Sequence, residues 1–391
     1  MKKQFLMGMA SVALFLSGCG QNSEVKIGVI IPQEGSLGDY GFQIISGIEL
    51  AEESIKKDKK LKKKYTIIYE NESADPNKVD VALESFGRLK EKGVTAVIGA
   101  ASSSATLALA ELANKDQIIL LSPASSSPDI NKEGGDFVFR NYPSDTLEAQ
   151  MLSNVIFQKC KLQKVLMVRS RNAYAEGITY ELLRFARKSS SSLPDHVVKF
   201  DSDPGTVDFV NVVDQIVEVA PDAVFLGAYT DALIPLIREI RAREDLKGTY
   251  LFTSSSFLPG KVAKALGSEV VEDVIFTAYP WDTTTDPARS DFARDFDAKF
   301  GTEPTIYAAT GFDALRILAE AIDGVNHRLP NEIKSEMNKI QHHGLVGETD
   351  FNKRGDVTHI PVVYWMKNGV PVEVTAEDME KIKREFLTRL D

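Results

Sequence analysis

Residues 95–123 read TAVIGAASSSATLALAELANKDQIILLSP, two short apolar runs on either side of an alanine- and leucine-rich segment with helical spacing. Strand, helix and strand in so short a span make a βαβ unit, whose two strands run parallel and whose crossover is right-handed. At the first junction stand three consecutive hydroxyls, Ser102, Ser103 and Ser104, where one would be enough to cap the helix. The same alternation extends in both directions. Upstream, KIGVIIP is followed by SGIELAEESIKK and YTIIYEN by DVALESFGRLKEK; downstream comes the polar loop LLSPASSSPD. After FVFRNYPSD a second series begins, with KVLMVRS, YELLRFARK, DHVVKFDS, FVNVVDQIVEVA, AVFLGAY, ALIPLIREIRA and TYLFTSS. A third portion adds VIFTAYP, two helical patterns and the strand-like VVYWMKNG. The class is therefore α/β, with two mainly parallel sheets and late material able to return to the first.

The chain has 391 residues, 43% of them hydrophobic, which is ample for a large core and a prior for two or three domains. Its formal net charge of −10 disfavours a nucleic-acid partner and any broad attraction to anionic lipid. The opening MKKQFLMGMASVALFLSGCGQ has two lysines, a short apolar segment and then small residues, the pattern of a secretory signal peptide. Leu16, Ser17, Gly18 and Cys19 resemble a bacterial lipoprotein processing box. By that resemblance residues 1–18 are removed, Cys19 carries the lipid anchor, and residues 19–25 form a short tether.

Cysteine and histidine offer no metal chemistry. Cys160 is the other cysteine, and His196, His327, His342, His343 and His359 lack ligand spacing, the adjacent pair reading as surface or loop residues. No metal and no cofactor is expected. There is no G-x-S-x-G elbow, no phosphate-binding loop ending in Lys-Ser or Lys-Thr, and no histidine placed to activate a serine, so an enzyme is not expected either. The lysine run KKDKKLKKK, residues 56–64, suits the negative end of a helix in solvent.

In open α/β sheets, ligands gather at the carboxyl ends of strands, where loops enter helices. Ser102–Ser104 and the LLSPASSSPD loop both occupy such junctions, where hydroxyls and free N–H groups can converge on an anion. Capping alone is the other reading of those serines.

From about Lys26 to Val372 the chain resembles the periplasmic binding proteins of the leucine, isoleucine and valine type, the receptors of branched-chain amino-acid ABC importers. The resemblance rests on VIIPQEGSLGDYG, YENESADP, VIGAASSSA, LLSPASSSP, NAYAEG, FLGAY, TEPTIYAATGFDALRILAEAI and GLVGETDFNKRGD, in that order. It implies the type I fold, two Rossmann-like lobes joined by three crossing segments, with the ligand between them. The expected division is residues 26–142 plus 273–352 for the first lobe and 143–272 plus 353–391 for the second. By the same resemblance Ser103 and Ser126 bind a ligand carboxylate, the Ala124 carbonyl accepts from its amine, and Tyr40, Tyr174 and Tyr229 surround its side chain. The family's amine-binding glutamate is matched here by Ser255. Either Asp231, with Asp282 behind it, replaces that glutamate, or the ligand has no ammonium. The function so implied is an extracytoplasmic lipoprotein that passes a small amino acid to a membrane permease. The alternatives are a receptor for a non-amino carboxylate or amide, and a sensing module for a separate signalling partner.

Overall fold

The computed structural model describes residues 24–189 and 197–390. The expected leader, Cys19, His196 and most of the serine-rich stretch near residue 190 lie outside the described residues. The first series alternates β1 (Val25–Pro32), α1 (Gly38–Lys57), β2 (Tyr65–Glu72), α2 (Asp80–Glu91), β3 (Ala96–Gly99), α3 (Ser103–Asp116), β4 (Ile119–Ser122), α4 (Ile130–Glu133) and β5 (Val138–Arg140). Its strands form a five-stranded sheet of order β2-β1-β3-β4-β5, parallel throughout. Both faces are covered. Along β1, Ile27, Val29 and Ile31 enter one core and Ile30 the other, which is why the run shows no polar alternation.

The second series continues through α5 (Asp145–Ser153), a π-helical turn (Asn154–Lys159), β6 (Val165–Ser170), α6 (Ala173–Ser189), β7 (Val197–Phe200), α7 (Phe209–Val219), β8 (Ala223–Gly227), α8 (Thr230–Ala242), β9 (Tyr250–Thr253), α9 (Pro259–Leu266), α10 (Ser268–Val271) and β10 (Val274–Ala278). The chain then forms α11 (Pro287–Phe300), α12 (Ile306–Asp323), α13 (Pro330–Met337), the hairpin β11 (Gln341–Gly344) and β12 (Gly347–Asp350), β13 (Val362–Lys367), β14 (Val370–Glu373) and α14 (Ala376–Leu390). The second sheet has the order β14-β13-β10-β9-β8-β6-β7, with β13 and β14 antiparallel to their neighbours and the remaining pairs parallel. Val165 and Met167 of β6 face one core, Leu166 and Val168 the other.

The fold is thus the two-lobed α/β arrangement expected, but its seams differ. β10 pairs with β9 and β13, so Val274–Ala278 belongs to the second sheet and the return to the first lobe follows it instead of starting at 273. The last crossing is also later than 353. Arg140 N donates to Gly355 O at 2.9 Å, and the buried Arg140 guanidinium pairs with Asp356, tying this segment to the edge of the first sheet. An isolated apolar run carries no mark of the sheet it will join, so neither seam had a local signal.

Helix α12 returns to pack along α1. Their approach is close enough that a Cβ on Gly47 would stand 1.9 Å from the Ala308 carbonyl oxygen, and one on Gly311 2.5 Å from that of Ile44. This contact carries Tyr307, near the start of α12, to the face of the lobe where α1 places Tyr40.

Candidate ligand site between the lobes

In each sheet the strand order reverses once, between β1 and β3 in the first and between β6 and β8 in the second. Neighbouring crossovers leave the sheet on opposite faces at such a point, opening a crevice at the carboxyl ends of the two strands. The segments that follow β1, β3, β6 and β8 carry Tyr40, Ser102–Ser104, Tyr174 and Tyr229 respectively. The two crevices face each other. Leu37, Tyr40, Ala101, Ala124, Ser126, Tyr174, Tyr229, Ser255, Ser256 and Tyr307 line a cavity of about 20 Å³ between them.

The three serines do three different jobs. Ser102, in extended conformation, is the N-cap of α3 and accepts from Ala105 N at 3.2 Å. Ser103 Oγ accepts from Ser127 N at 3.1 Å, joining the two hydroxyl loops of the first lobe. Ser104 Oγ accepts from Ala173 N of the second lobe at 3.1 Å. The loop is held from behind by Glu72, which is buried and accepts from Ala101 N at 2.7 Å, Ser102 N at 3.0 Å and the Ser102 hydroxyl. Burial outweighs those hydrogen bonds and pushes its pKa up to about 7.

Six tyrosines make a continuous aromatic chain through the site. Tyr174 stacks on Tyr229 at 4.9 Å, Tyr229 meets Tyr40 edge-on at 5.8 Å, and Tyr40 meets Tyr307 at 5.1 Å. Tyr307 stacks on Tyr142 at 5.4 Å, and Tyr142 meets Tyr279 at 5.5 Å. Several cross between lobes. The Tyr40 hydroxyl donates to Ser256 O, and Tyr307 donates to Ser255 O at 3.2 Å. Burial raises the pKa of all six phenols, so they remain neutral donors.

Behind the cavity wall stand two acids that sequence reasoning did not single out. Asp145 and Glu148 are fully buried at the start of α5. Asp145 N donates to Ser126 O at 2.9 Å; the Ser126 side chain lies beside the carboxyl and favours its ionised form, but no well-formed hydrogen bond reaches either carboxyl oxygen. Glu148 Oε2 accepts from Ser255 N at 3.0 Å and Thr277 Oγ1 at 2.9 Å, and its Oε1 has no partner. Burial raises the pKa of both, and the charge of Glu148 raises that of Asp145 further.

A two-lobed crevice of this construction is matched by a model of a known family, periplasmic binding protein, over residues 24–366. The chain belongs to that family. This binding protein is 24% identical over 359 residues to Leu/Ile/Val-binding protein homolog 1 of Brucella abortus, covering 91% of this chain and 94% of that one. Among solved structures it is similar to LivJ of Streptococcus pneumoniae in complex with isoleucine, with a TM-score of 0.77, 22% identity and coverage of 90% and 100%. It is equally similar in fold to a solute binding protein of R. palustris in complex with benzoate, with a TM-score of 0.78, 17% identity and coverage of 90% and 96%.

Of the residues expected at the site, Tyr40, Ala124, Ser126, Tyr174, Tyr229 and Ser255 line the cavity of the binding protein. Ser103 lies one step behind it, with its N–H beside the Tyr229 hydroxyl. Asp231 is elsewhere. It pairs with Lys261, which also reaches Asp39 across the cleft, so its charge is already matched. Asp282 is half-buried and accepts from Thr284 N at 2.8 Å within its own loop. Tyr307 and Asp145 had a signal, since both fall in stretches that alternate with the series, TIYAATG and YPSD, but nothing local set them apart. His342 departs from expectation too. It is buried against Glu320, with Nδ1 at 3.0 Å, whereas His343 is exposed as expected.

Among the described residues no three or more His, Cys, Asp or Glu side chains are grouped to hold a metal, and no helix is long and apolar enough to cross a membrane. A groove of about 1090 Å³ lies on the outside of the first lobe, but its charged walls are largely paired, as in Lys299 with Glu53 and Arg316 with Asp58. Lys63, from the basic run, donates to the carbonyls of Ile322, Asp323 and Val325 and so closes the end of α12.

Proposed function

We propose that the chain is the extracytoplasmic, lipid-anchored substrate-binding protein of an ABC importer, which encloses a branched-chain or related α-amino acid between its lobes and delivers it to a membrane permease. The observation that carries this reading is the adjacency of Ser126 and Asp145. An α-amino acid carries its ammonium and its carboxylate on the same carbon, and so needs a donor and an acid side by side. Ser126 lines the cavity, and the Asp145 carboxyl stands beside its side chain. Ser103 and the positive end of α3 complete the anion side, and the tyrosines cover the side chain. The similarity to an isoleucine-bound LivJ supports the same ligand class.

At about 20 Å³ the cavity is far below the several hundred Å³ usual for small-molecule sites. Ligand therefore enters with the lobes apart and is enclosed as they meet, the closed rims presenting one surface to the permease. No catalytic group takes part.

Calorimetry with leucine, isoleucine, valine, phenylalanine and serine, each beside its deaminated acid and its amide, tests the reading. Binding confined to free amino acids is expected. Preference for deaminated acids, as the benzoate-bound relative allows, would overturn it.

A further inference from the structure

One acid balances the ammonium of an α-amino acid, and this protein buries two. Asp145 and Glu148 are three residues apart on α5 and therefore share a face. Through Ser126 the first touches a loop of the first lobe; through Ser255 and Thr277 the second touches the sheet ends of the other. Ser126 and Ser255, which line opposite walls of the cavity, are thus each backed by a carboxylate. Three of the four carboxyl oxygens are in no well-formed hydrogen bond, although the Ser126 side chain stands beside Asp145 and the Tyr279 hydroxyl beside Glu148.

The neighbours do not neutralise them. Arg140 and Glu181 are the charged groups that act on Asp145, and the Arg140 guanidinium is committed to Asp356 and to the Ser125 and Ser127 carbonyls. The other titratable groups around the pair are the phenols of Tyr142, Tyr174, Tyr229, Tyr279 and Tyr307, all neutral. Two buried carboxyls without a cation are costly, and a site that keeps them has a use for positive charge.

We propose that Asp145 and Glu148 together form the seat for the ligand's ammonium, framed by tyrosine faces, so that the receptor selects compact primary amines over the same molecules without the amine. This rests on the amino-acid reading above and assigns its cation side. Tyrosine faces attract a cation within about 6 Å of their centroids, adding to the carboxylates. Two acids this near in a dry cleft cannot both be ionised, so the pair holds a proton that the arriving ammonium displaces.

Calorimetry tests the seat with three probes: L-leucine, its deaminated counterpart 4-methylpentanoate, and the amine 3-methylbutylamine. Each is titrated into the wild type, Asp145→Asn and Glu148→Gln in two buffers of different ionisation enthalpy. For the wild type, leucine should bind with proton release. Each variant should bind it roughly 10- to 100-fold more weakly, release fewer protons and discriminate less against 4-methylpentanoate. Each variant leaves one buried carboxyl where two had to share a proton, and should melt at or above the wild-type temperature. A lower melting temperature with weakened binding would make the acids architectural and overturn the seat. Unchanged leucine affinity in Glu148→Gln with no wild-type proton release would overturn it too, leaving the amino-acid reading intact. Stronger wild-type binding of 4-methylpentanoate than of leucine, or binding of no probe, would count against both. Binding of the amine alone, weakened in both variants, would keep the seat and sink the amino-acid reading.

Discussion

Tyr40 of the first lobe and Thr230 of the second are joined across the cleft: the Tyr40 hydroxyl accepts from Thr230 N at 3.2 Å and lies 3.0 Å from Thr230 Oγ1. The same hydroxyl donates to Ser256 O, so one phenol ties α1 to two loops of the opposite lobe. Removing it should favour the open form. A neutral hydrogen bond contributes about 0.5–1.5 kcal/mol, so Tyr40→Phe should weaken ligand binding roughly 2- to 10-fold and enlarge the radius of gyration of the liganded protein in solution scattering. Wild-type affinity and an unchanged radius would show that the latch does not hold closure.

The two clamp serines should respond differently. Ser126 lines the cavity, so Ser126→Ala should weaken a carboxylate ligand by roughly 10- to 100-fold with little change in stability. Ser103→Ala also strips Ser127 N of its acceptor, leaving a buried donor unpaired, so it should lower the melting temperature as well. Calorimetry paired with thermal melts separates the two. If both variants bind as the wild type does, the clamp is wrong and the hydroxyls serve only their loops.

His342 should make the first lobe sensitive to alkali. Burial acts against its imidazolium, but Asp313 and Glu320 outweigh it and raise the pKa to about 9. An unfolded histidine titrates near 6.5, so this stabilisation is complete below about pH 6.5 and is lost as pH rises through about 9. Thermal melts from pH 6 to 10 should fall more steeply for the wild type than for His342→Gln. Parallel curves would assign the alkaline loss to other groups.

Breaking the buried Arg140–Asp356 pair should be costly. Its bidentate contact, with Arg140 Nη2 at 2.9 Å from Oδ2, anchors the last crossing segment to the first sheet. Asp356→Asn leaves a fully buried guanidinium without its anion, and removing one partner of a buried pair costs about 3–5 kcal/mol. Urea denaturation should show that loss, and a change under about 1 kcal/mol would mean that the carbonyls already bonded to Arg140, with water, suffice without the carboxylate.

Mass spectrometry of the protein from a native-like bacterial envelope should find residues 1–18 absent and Cys19 lipidated. An intact leader or an unmodified residue 19 would remove the anchored part of the proposal.

Much of this protein was legible as a string. The period of its apolar runs, continuous in strands buried on both faces and spaced by turns in helices, dictates alternating β and α elements and hence parallel sheets. Local chemistry also marked the junctions: the hydroxyls after TAVIGA cap a helix wherever that helix starts, because capping needs only neighbours in the chain. Tyr40, Tyr174 and Tyr229 follow strand ends for the same reason, and strand ends at a reversal of sheet order are where crevices open.

Tertiary structure decided what each of those groups meets. Ser102, Ser103 and Ser104 are chemically alike and adjacent, yet one caps its helix, one joins the next loop and one reaches Ala173 in the other lobe, 69 positions away. Two acids differ in the same manner. Asp231 stands two residues after a site tyrosine and is paired with Lys261, whereas Asp145, in a crossing segment, ends beside Ser126 with no basic group bonded to its carboxyl. Propensity, capping and burial pattern are properties of a few consecutive residues, and the sequence determines them alone. Whether a carboxylate is paired depends on groups brought near by packing of distant segments, and that exists only once both lobes have formed and met.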